Sequence, residues 1–484
     1  MIDIKDVLEL PGVTLDQAGP DSFSGPGFDS RRLEPDSLFF ALAGERDGHD
    51  FIDAAVAGGA TGVVVSKPVS VPAGVAVLTV PDTLKALQQL GRSARQGYGG
   101  TLIAITGSAG KTTLRGIVAD VLGTAHRVHA SVGSFNNHLG LPLTLLGIED
   151  EHTHAVLEVG TNSRGEIQFL GLMAEPDIAI VSNVGFAHIG NFESPEEIAT
   201  EKADLLRSVR PGGTWIINGD DARLMAEVER IDRPDVTCIK VGHQAGNDWL
   251  VSDLVVDEDG TSGVVEFGGS THRFRLALHG RHFATAAAMA LAVGVETGIG
   301  AEQAIAALGR VAPQAGRAGV IRIDDRLLAI DDTYNASPDA MLAGLDLLDD
   351  IDGDNKIAVL GEMRELGDWS PRLHETVVGR AMAVADRVIV IGGETSDIAK
   401  AASAIDDTGA RRPATVVDSA TAAYNTIARW QADFTGSTVV FVKGARFAHT
   451  ERVILGLQGR TPRCDLTVCP LYINCRTCDR LEAG

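Results

Sequence analysis

The sequence predicts an α/β protein of three domains built on parallel sheets. Three observations carry this. The chain has 484 residues, enough for about three domains at roughly 150 residues each. Short apolar runs alternate with helix-period segments over most of its length, the pattern of parallel strands covered on both faces. Finally, Thr106-Gly107-Ser108-Ala109-Gly110-Lys111-Thr112-Thr113 follows an apolar run and opens an amphipathic segment, which is the setting of a phosphate-binding loop.

Residues 1–98 form the first unit, with strands at Gly62–Val65 and Val75–Leu78 and a helix over Thr83–Gln96. Gly97-Tyr98-Gly99-Gly100 is the linker. The second unit, 99–315, carries apolar runs at 101–106, 155–160, 177–183 and 214–218. Its 250–278 stretch alternates and is punctuated by Gly, as in an antiparallel appendage, and a helix follows over Arg281–Thr297. The third unit, 316–460, places strands at 326–331, 356–360, 387–391, 414–417 and 437–442, a Rossmann-like order of strands and helices. Residues 461–484 are a Cys-rich tail.

Composition narrows the function. Sixty-five acidic against 42 basic residues leave a net charge of −23, the opposite of a nucleic-acid footprint. The apolar stretch Phe283–Val295 is too short to span a bilayer, which predicts no membrane insertion. The first residues lack a basic and then apolar leader, and four of the five Cys fall in the last 21 residues. Together these predict a reducing, cytoplasmic setting.

The Gly-rich turn is the sharpest chemical signal. Gly107, Ser108, Ala109 and Gly110 let backbone N–H groups approach phosphate, and the following helix N-terminus adds a favourable dipole. Lys111 is placed to reach the β/γ-phosphates and Thr112 to ligate Mg²⁺, with Thr113 beside them. A strict P-loop has Gly where Ile105 stands, so this is a shortened variant. Glu158 ends an apolar strand, where a carboxylate faces the ligand crevice and suits Mg²⁺. His188 follows the 177–183 strand toward the same crevice, although a lone His is more often structural.

Lys202 is unusual. Ser194-Pro195-Glu196-Glu197 starts a helix whose apolar face carries Ile198, Leu205 and Leu206, and Lys202 falls on that face. An unpaired ammonium is costly there. Either it snorkels, or it is functional with a depressed pKa. A shielded neutral amine can also take up carbon dioxide as a carbamate. Further on, Asp331-Asp332-Thr333-Tyr334-Asn335-Ala336-Ser337-Pro338-Asp339 is dense in side chains able to hold ribose or phosphate, or is an ordinary strand-to-helix turn.

These motifs resemble the Mur ligases of bacterial peptidoglycan synthesis, over about residues 29–457. The N-terminal part of the resemblance is Asp29-Ser30-Arg31, Leu38–Leu42 and Gly44–Phe51. Glu158–Asn162 with Gly165–Ile167, Asp332–Asp339 and Leu360–Gly367 are similar to the branch that adds D-alanyl-D-alanine to a UDP-N-acetylmuramoyl-tripeptide. Val442-Lys443-Gly444-Ala445-Arg446 resembles the family's Lys-Gly-Ser-Arg stretch, with Ala445 for Ser.

The resemblance implies a UDP-sugar-binding first domain, a central ATPase domain and an ATP-dependent, ADP-forming ligase that acts as a monomer. It implies that Lys111, His188 and Lys202 are catalytic, with Lys202 carbamylated. Thr112, Glu158, His188 and Lys202 would hold metal. Residues 107–113 with Arg317, Asp332, Tyr334 and Asn335 would bind ATP. Ser30, Arg31, Gly48, His49, Asn137 and Asn162 would bind the UDP-muramyl peptide. One departure stands out. The family's adenine helix carries two Asn where Gly280-Arg281-His282-Phe283-Ala284-Thr285-Ala286 is apolar, which leaves Thr285 or the Phe283 ring for the purine. That loss also motivates a second reading, a non-catalytic UDP-sugar-binding homologue. A GTPase-type switch is disfavoured, because no Asn-Lys-x-Asp motif follows the loop.

In the tail, Cys464, Cys469, Cys475 and Cys478 lie within 15 residues, and Cys475-x₂-Cys478 has zinc-knuckle spacing. The expectation is a mobile tail of free thiols, with a four-thiolate Zn²⁺ site as the alternative.

Overall fold

The computed structural model describes residues 1–257, 259–393, 395–406, 414–460, 464, 469 and 474–478. The rest of the 461–484 tail, including most of the sequence between its cysteines, lies outside the described residues.

Three parallel-rich α/β sheets are stacked along the chain. The first orders its strands as Thr14–Gln17, Ala76–Thr79, Ala60–Val65, Ser37–Phe40 and Pro26–Gly27, and only Thr14–Gln17 is antiparallel to its neighbour. Phe39, Val63 and Val65 are fully buried on one face, and Leu38, Phe40 and Val64 on the other. Burial on both faces explains the unbroken apolar runs. The helix Thr83–Gly97 starts where Asp82 Oδ1 accepts from the amides of Leu84 and Lys85, each at 3.0 Å. It ends on Arg95, whose fully buried guanidinium donates to Ala174 O at 2.7 Å, Glu175 O at 2.8 Å and Asp177 Oδ2 at 2.9 Å. This one side chain ties the helix to the central sheet.

The central sheet has nine strands, and those at Thr101–Thr106, Val128–Ala130, His154–Glu158, Ile178–Val181, Thr214–Asn218, Thr237–Gly242 and Trp249–Asp257 run parallel. Thr101–Thr106 lies between His154–Glu158 and Ile178–Val181. The chain crosses from one side of that strand to the other, so a crevice opens at its carboxyl end. The antiparallel strands Gly260–Phe267 and Ser270–Leu276 extend the sheet to its edge, where Arg275 pairs with Asp257 at 2.5 Å and Asp259 at 3.3 Å. The apolar helix His282–Glu296 is a buried core element.

The third sheet orders Gly319–Asp324, Leu327–Asp331, Thr438–Lys443, Asn355–Gly361, Arg387–Ile391 and Thr415–Val417, antiparallel only at the first pair. Among the described residues no helix is long and apolar enough to cross a membrane.

Candidate active site

Three adjacent strand ends of the central sheet build the floor of a cavity of about 630 Å³. From Thr101–Thr106 comes the Gly-rich loop. A Cβ on Gly107 would stand 2.0 Å from Ser182 Oγ, so the loop lies against the neighbouring strand only because that residue is Gly. Gly110 has φ +77° and caps the helix Lys111–Leu122. Asn183 pins the loop, its carbonyl accepting from Ser108 N at 3.1 Å and its Oδ1 from Ala109 N at 2.9 Å. Lys111 Nζ donates to Gly107 O at 2.7 Å. Burial lowers the Lys111 pKa, while Glu158 opposes that shift.

From the next strand end comes Glu158, 2% exposed. Thr112 Oγ1 donates to its Oε2 at 2.9 Å and Asn136 Nδ2 to its Oε1 at 2.7 Å. A hydroxyl and a carboxylate thus meet under the loop, both hard oxygen donors of the kind Mg²⁺ takes. Asn136 was not legible in advance, because nothing local marks a residue 22 positions from its partner.

From the third strand end comes His188, in the left-handed region at φ 62°. Its Nδ1 meets the Glu365 carboxylate from the third domain. Burial lowers its pKa, although Glu365 favours the charged form. Gly190 N donates to Glu365 O at 2.8 Å beside it. The two domains therefore meet over the loop.

Lys202 lies on the helix Pro195–Arg207 and is 3% exposed. The helix starts as its sequence implied. Ser194 Oγ accepts from Glu197 N at 3.3 Å, but Glu197 Oε2 accepts in return from Glu193 N, at 2.7 Å, one residue before the cap. No hydrogen bond or ion pair to Lys202 Nζ is formed among the described residues. Burial, and then the charge of Lys111, press its pKa well below the ordinary lysine value. It is not among the residues that line the cavity. Its neighbour Glu201 is equally buried, and accepts from Gly165 N and Ile167 N, each at 2.7 Å. Glu201 thereby caps the helix Glu166–Ala174, a role the sequence did not signal.

The third domain supplies the opposite wall. Buried Lys443 pairs through Nζ with half-buried Asp332 Oδ2 at 2.5 Å. The Arg317 guanidinium stacks 4.1 Å from the Tyr334 ring centroid, and Tyr334 OH reaches Ser134 Oγ of the central domain at 3.3 Å. Asn335 lines the same cavity. Asp339 Oδ2 accepts from Phe186 N at 2.7 Å, a further contact across the two domains.

The comparisons with known proteins agree with this geometry. Residues 22–95 match the family described as Mur ligase family, catalytic domain. Residues 105–294 match the Mur ligase middle domain, and 316–446 the Mur ligase glutamate ligase domain. The chain is 36% identical over 379 residues to the UDP-N-acetylmuramoyl-tripeptide--D-alanyl-D-alanine ligase of Bacillus subtilis, covering 77% of this chain and 81% of that one. It is 32% identical over 432 residues to the Escherichia coli protein of the same name, covering 89% and 92%. The chain belongs to the Mur ligase family. Its fold superposes on MurF from Acinetobacter baumannii with a TM-score of 0.81 at 28% identity, over 91% of this chain and 94% of that one. It superposes on MurF from Thermotoga maritima in complex with ADP with a TM-score of 0.78 at 27% identity, over 90% and 97%.

In this Mur ligase the residues expected to bind the muramyl peptide fall in two places. Asn137 and Asn162 line the cavity. Ser30, Arg31, Gly48 and His49 do not, and sit on the first domain. Arg31 is 81% exposed and paired with Asp29 at 2.8 Å. Both nitrogens of the His49 ring are occupied, Nδ1 by Asp47 Oδ1 at 2.6 Å and Nε2 by Ser66 N at 3.0 Å. His49 thus fixes its own loop. Gly48 has no room for a side chain, since a Cβ would lie 2.6 Å from Leu42 N.

At the departure from the family pattern, Phe283, Ala286 and Met289 line the cavity with no amide among them. The Thr285 hydroxyl is bonded to His243 Nε2 at 3.0 Å. The ring of His282, an exposed residue at the cavity wall, lies 4.0 Å from that of Phe283.

The four tail thiols do not form one group. Among the described His, Cys, Asp and Glu residues, the group of three that converges closely enough to share a metal is His449, Glu451 and Cys475.

Proposed function

We propose that this Mur ligase joins D-alanyl-D-alanine to a UDP-N-acetylmuramoyl-tripeptide, driven by cleavage of ATP to ADP, in peptidoglycan precursor synthesis. One observation carries the reading. The P-loop with its Thr112–Glu158 pair faces Lys443, Asp332 and Arg317 of the third domain across a single cavity.

The tripeptide carboxylate attacks the γ-phosphorus of ATP. An acyl phosphate forms and ADP leaves. The free amine of D-alanyl-D-alanine then adds to the acyl carbon, loses a proton, and expels phosphate as the amide forms. Little covalent work falls to the protein, whose task is to position two anions and offset their charge. The amides of Gly107–Lys111 and the helix N-terminus cradle the phosphates, and Lys111 leaves Gly107 O to meet the γ-phosphate. Arg317, Asp332, Tyr334 and Asn335 close over the nucleotide, whose purine packs on Phe283 and Met289.

The donor set under the loop fits Mg²⁺, since Thr112 Oγ1 and Glu158 offer hard oxygens. His188 stands at the same crevice. Burial and the charge of Lys111 favour the uncharged amine of Lys202, which suits it to react with carbon dioxide, releasing a proton and giving a further carboxylate-like ligand. When bound, Mg²⁺ neutralises charge on the transferring phosphoryl group. Exposed Arg31, with Ser30 and the Gly48–His49 loop, receives the uridine diphosphate end, while Asn137 and Asn162 take the peptide end. Substrates of this kind point to a cytoplasmic enzyme.

The test is coupled ADP release over a panel of UDP-muramyl peptides and dipeptides. Turnover only with a tripeptide acceptor and D-alanyl-D-alanine is expected. Absence of ADP release with every pair supports the non-catalytic reading instead.

A further inference from the structure

The segment Asn474–Cys478 is docked, not loose. Cys475 is buried, and its amide donates to Glu451 Oε1 at 3.1 Å. Arg476 reaches Asp331 Oδ2 at 2.5 Å and Thr333 Oγ1 at 3.0 Å, on either side of Asp332. The sequence between the third domain and this segment is long enough to bring it back, and the contacts lie 24 to 145 residues apart along the chain.

Where Cys475 enters, it meets two buried side chains from the turn between Arg446–Ala448 and the helix Glu451–Leu457. Its Sγ is 3.5 Å from His449 Nδ1, which is 3.3 Å from Glu451 Oε1. We propose that His449, Glu451 and Cys475 form a zinc site that fastens the C-terminal segment to the third domain. The separations fit a coordination shell. Tetrahedral Zn²⁺ with its usual bond lengths puts nitrogen and oxygen ligands about 3.4 Å apart, and nitrogen and sulfur about 3.6 Å apart. Both observed distances match within about 0.1 Å.

Two further observations bear on the site. His449 holds a left-handed backbone, φ 47°, which a non-glycine residue adopts at a cost. That conformation sets its ring beside the thiol. Arg452 Nε lies 3.2 Å from Cys475 Sγ, placed as the donor that a metal-bound thiolate takes from its surroundings. Imidazole, carboxylate and thiolate together favour zinc over Mg²⁺, which takes oxygen. Thiolate and carboxylate together offset the charge of the ion in this buried site.

The site also bears on the nucleotide wall. Zinc holds Cys475, Cys475 fixes Arg476, and Arg476 braces the loop carrying Asp332 and Tyr334.

The test uses the full chain, purified without chelator, incubated with zinc and desalted, with metal measured by inductively coupled plasma spectrometry. Retention of one zinc per chain is expected, lost in Cys475→Ser and in His449→Gln, and kept in Cys464→Ser/Cys469→Ser/Cys478→Ser. Cobalt substitution should give a thiolate-to-cobalt band in the wild type and none in Cys475→Ser. Wild-type unfolding after chelation should match that of Cys475→Ser, which separates loss of metal from misfolding. No retained metal in the wild type overturns the proposal. So does zinc that survives Cys475→Ser, or zinc lost in the triple variant but kept in His449→Gln, which would assign it to the thiols alone.

Discussion

Gly185→Ala tests whether the two domains must meet for catalysis. Gly185 lies in the loop that leads to His188, and its backbone is not in the left-handed region, so alanine is conformationally allowed there. The obstacle is across the domain boundary. A Cβ would lie 2.1 Å from Asp339 Oδ2 and 2.3 Å from its Cγ. Asp339 must move, and then loses the 2.7 Å bond from Phe186 N. A hydrogen bond to a charged group is worth about 1.5–3 kcal/mol. Overpacking adds about 1–3 kcal/mol. The lower ends sum to about 2.5 kcal/mol, roughly 70-fold in the population of the closed arrangement. The open enzyme is untouched. ADP release should therefore fall by about that factor in kcat/KM, with no change in the thermal unfolding midpoint. Gly185→Ala/Asp339→Ala should recover part of it, because the carboxylate is gone. Wild-type turnover in Gly185→Ala, or a loss matched by an equal loss of folding stability, would refute the argument.

Lys202→Ala should lose most activity and regain part of it with formate, and near-normal turnover without formate would remove the carbamate from the mechanism. Arg95→Met leaves the carbonyls of Ala174 and Glu175 without their donor and should cost about 3–5 kcal/mol in urea unfolding, so an unchanged midpoint would show that the tie is idle. His154 is 7% exposed and titrates at about 4, because burial and then the stacked His126 disfavour its charge. Above pH about 6.5 both folded and unfolded chains hold it neutral. As pH falls from there to about 4, only the unfolded chain gains the proton, so about 3 kcal/mol of stability is lost across that window. His154→Gln should flatten the acid limb of the unfolding curve, and an unaltered slope would exclude His154 as its source.

The sequence carried what is local and periodic. Strand, Gly-rich turn and helix around Gly107–Thr113 lie in one stretch, and the inward face of Lys202 follows from its distance to Ile198 and Leu206. Pairings across the fold left no such trace. Asn136 with Glu158, Glu201 with Gly165 and Ile167, and His188 with Glu365 join residues 22 to 177 positions apart. Each depends on which strand ends become neighbours, and sheet order is not written in periodicity. Short strands such as Val128–Ala130 were missed for a related reason, since only their place at a sheet edge makes them strands. In the tail, Cys-to-Cys spacing drew attention to the thiols, while the partners of Cys475 lie on a turn formed by a left-handed His449.

The edge strand Ser270–Leu276 has a consequence for how the protein behaves in a crowded solution. It ends the nine-stranded sheet, where the helix Ala301–Leu308 packs beside it, and a sheet edge is a template on which a second chain can pair. Here it carries His272, Arg273 and Arg275, with Arg275 clamped by Asp257 at the end of the strand Trp249–Asp257, next but one in the sheet, and by Asp259 in the turn that follows it. A second copy approaching in register would bring like charges opposite one another, on a molecule that already carries −23 overall. Removing Arg273 and Arg275 would leave each folded copy intact and make the sheet adhesive.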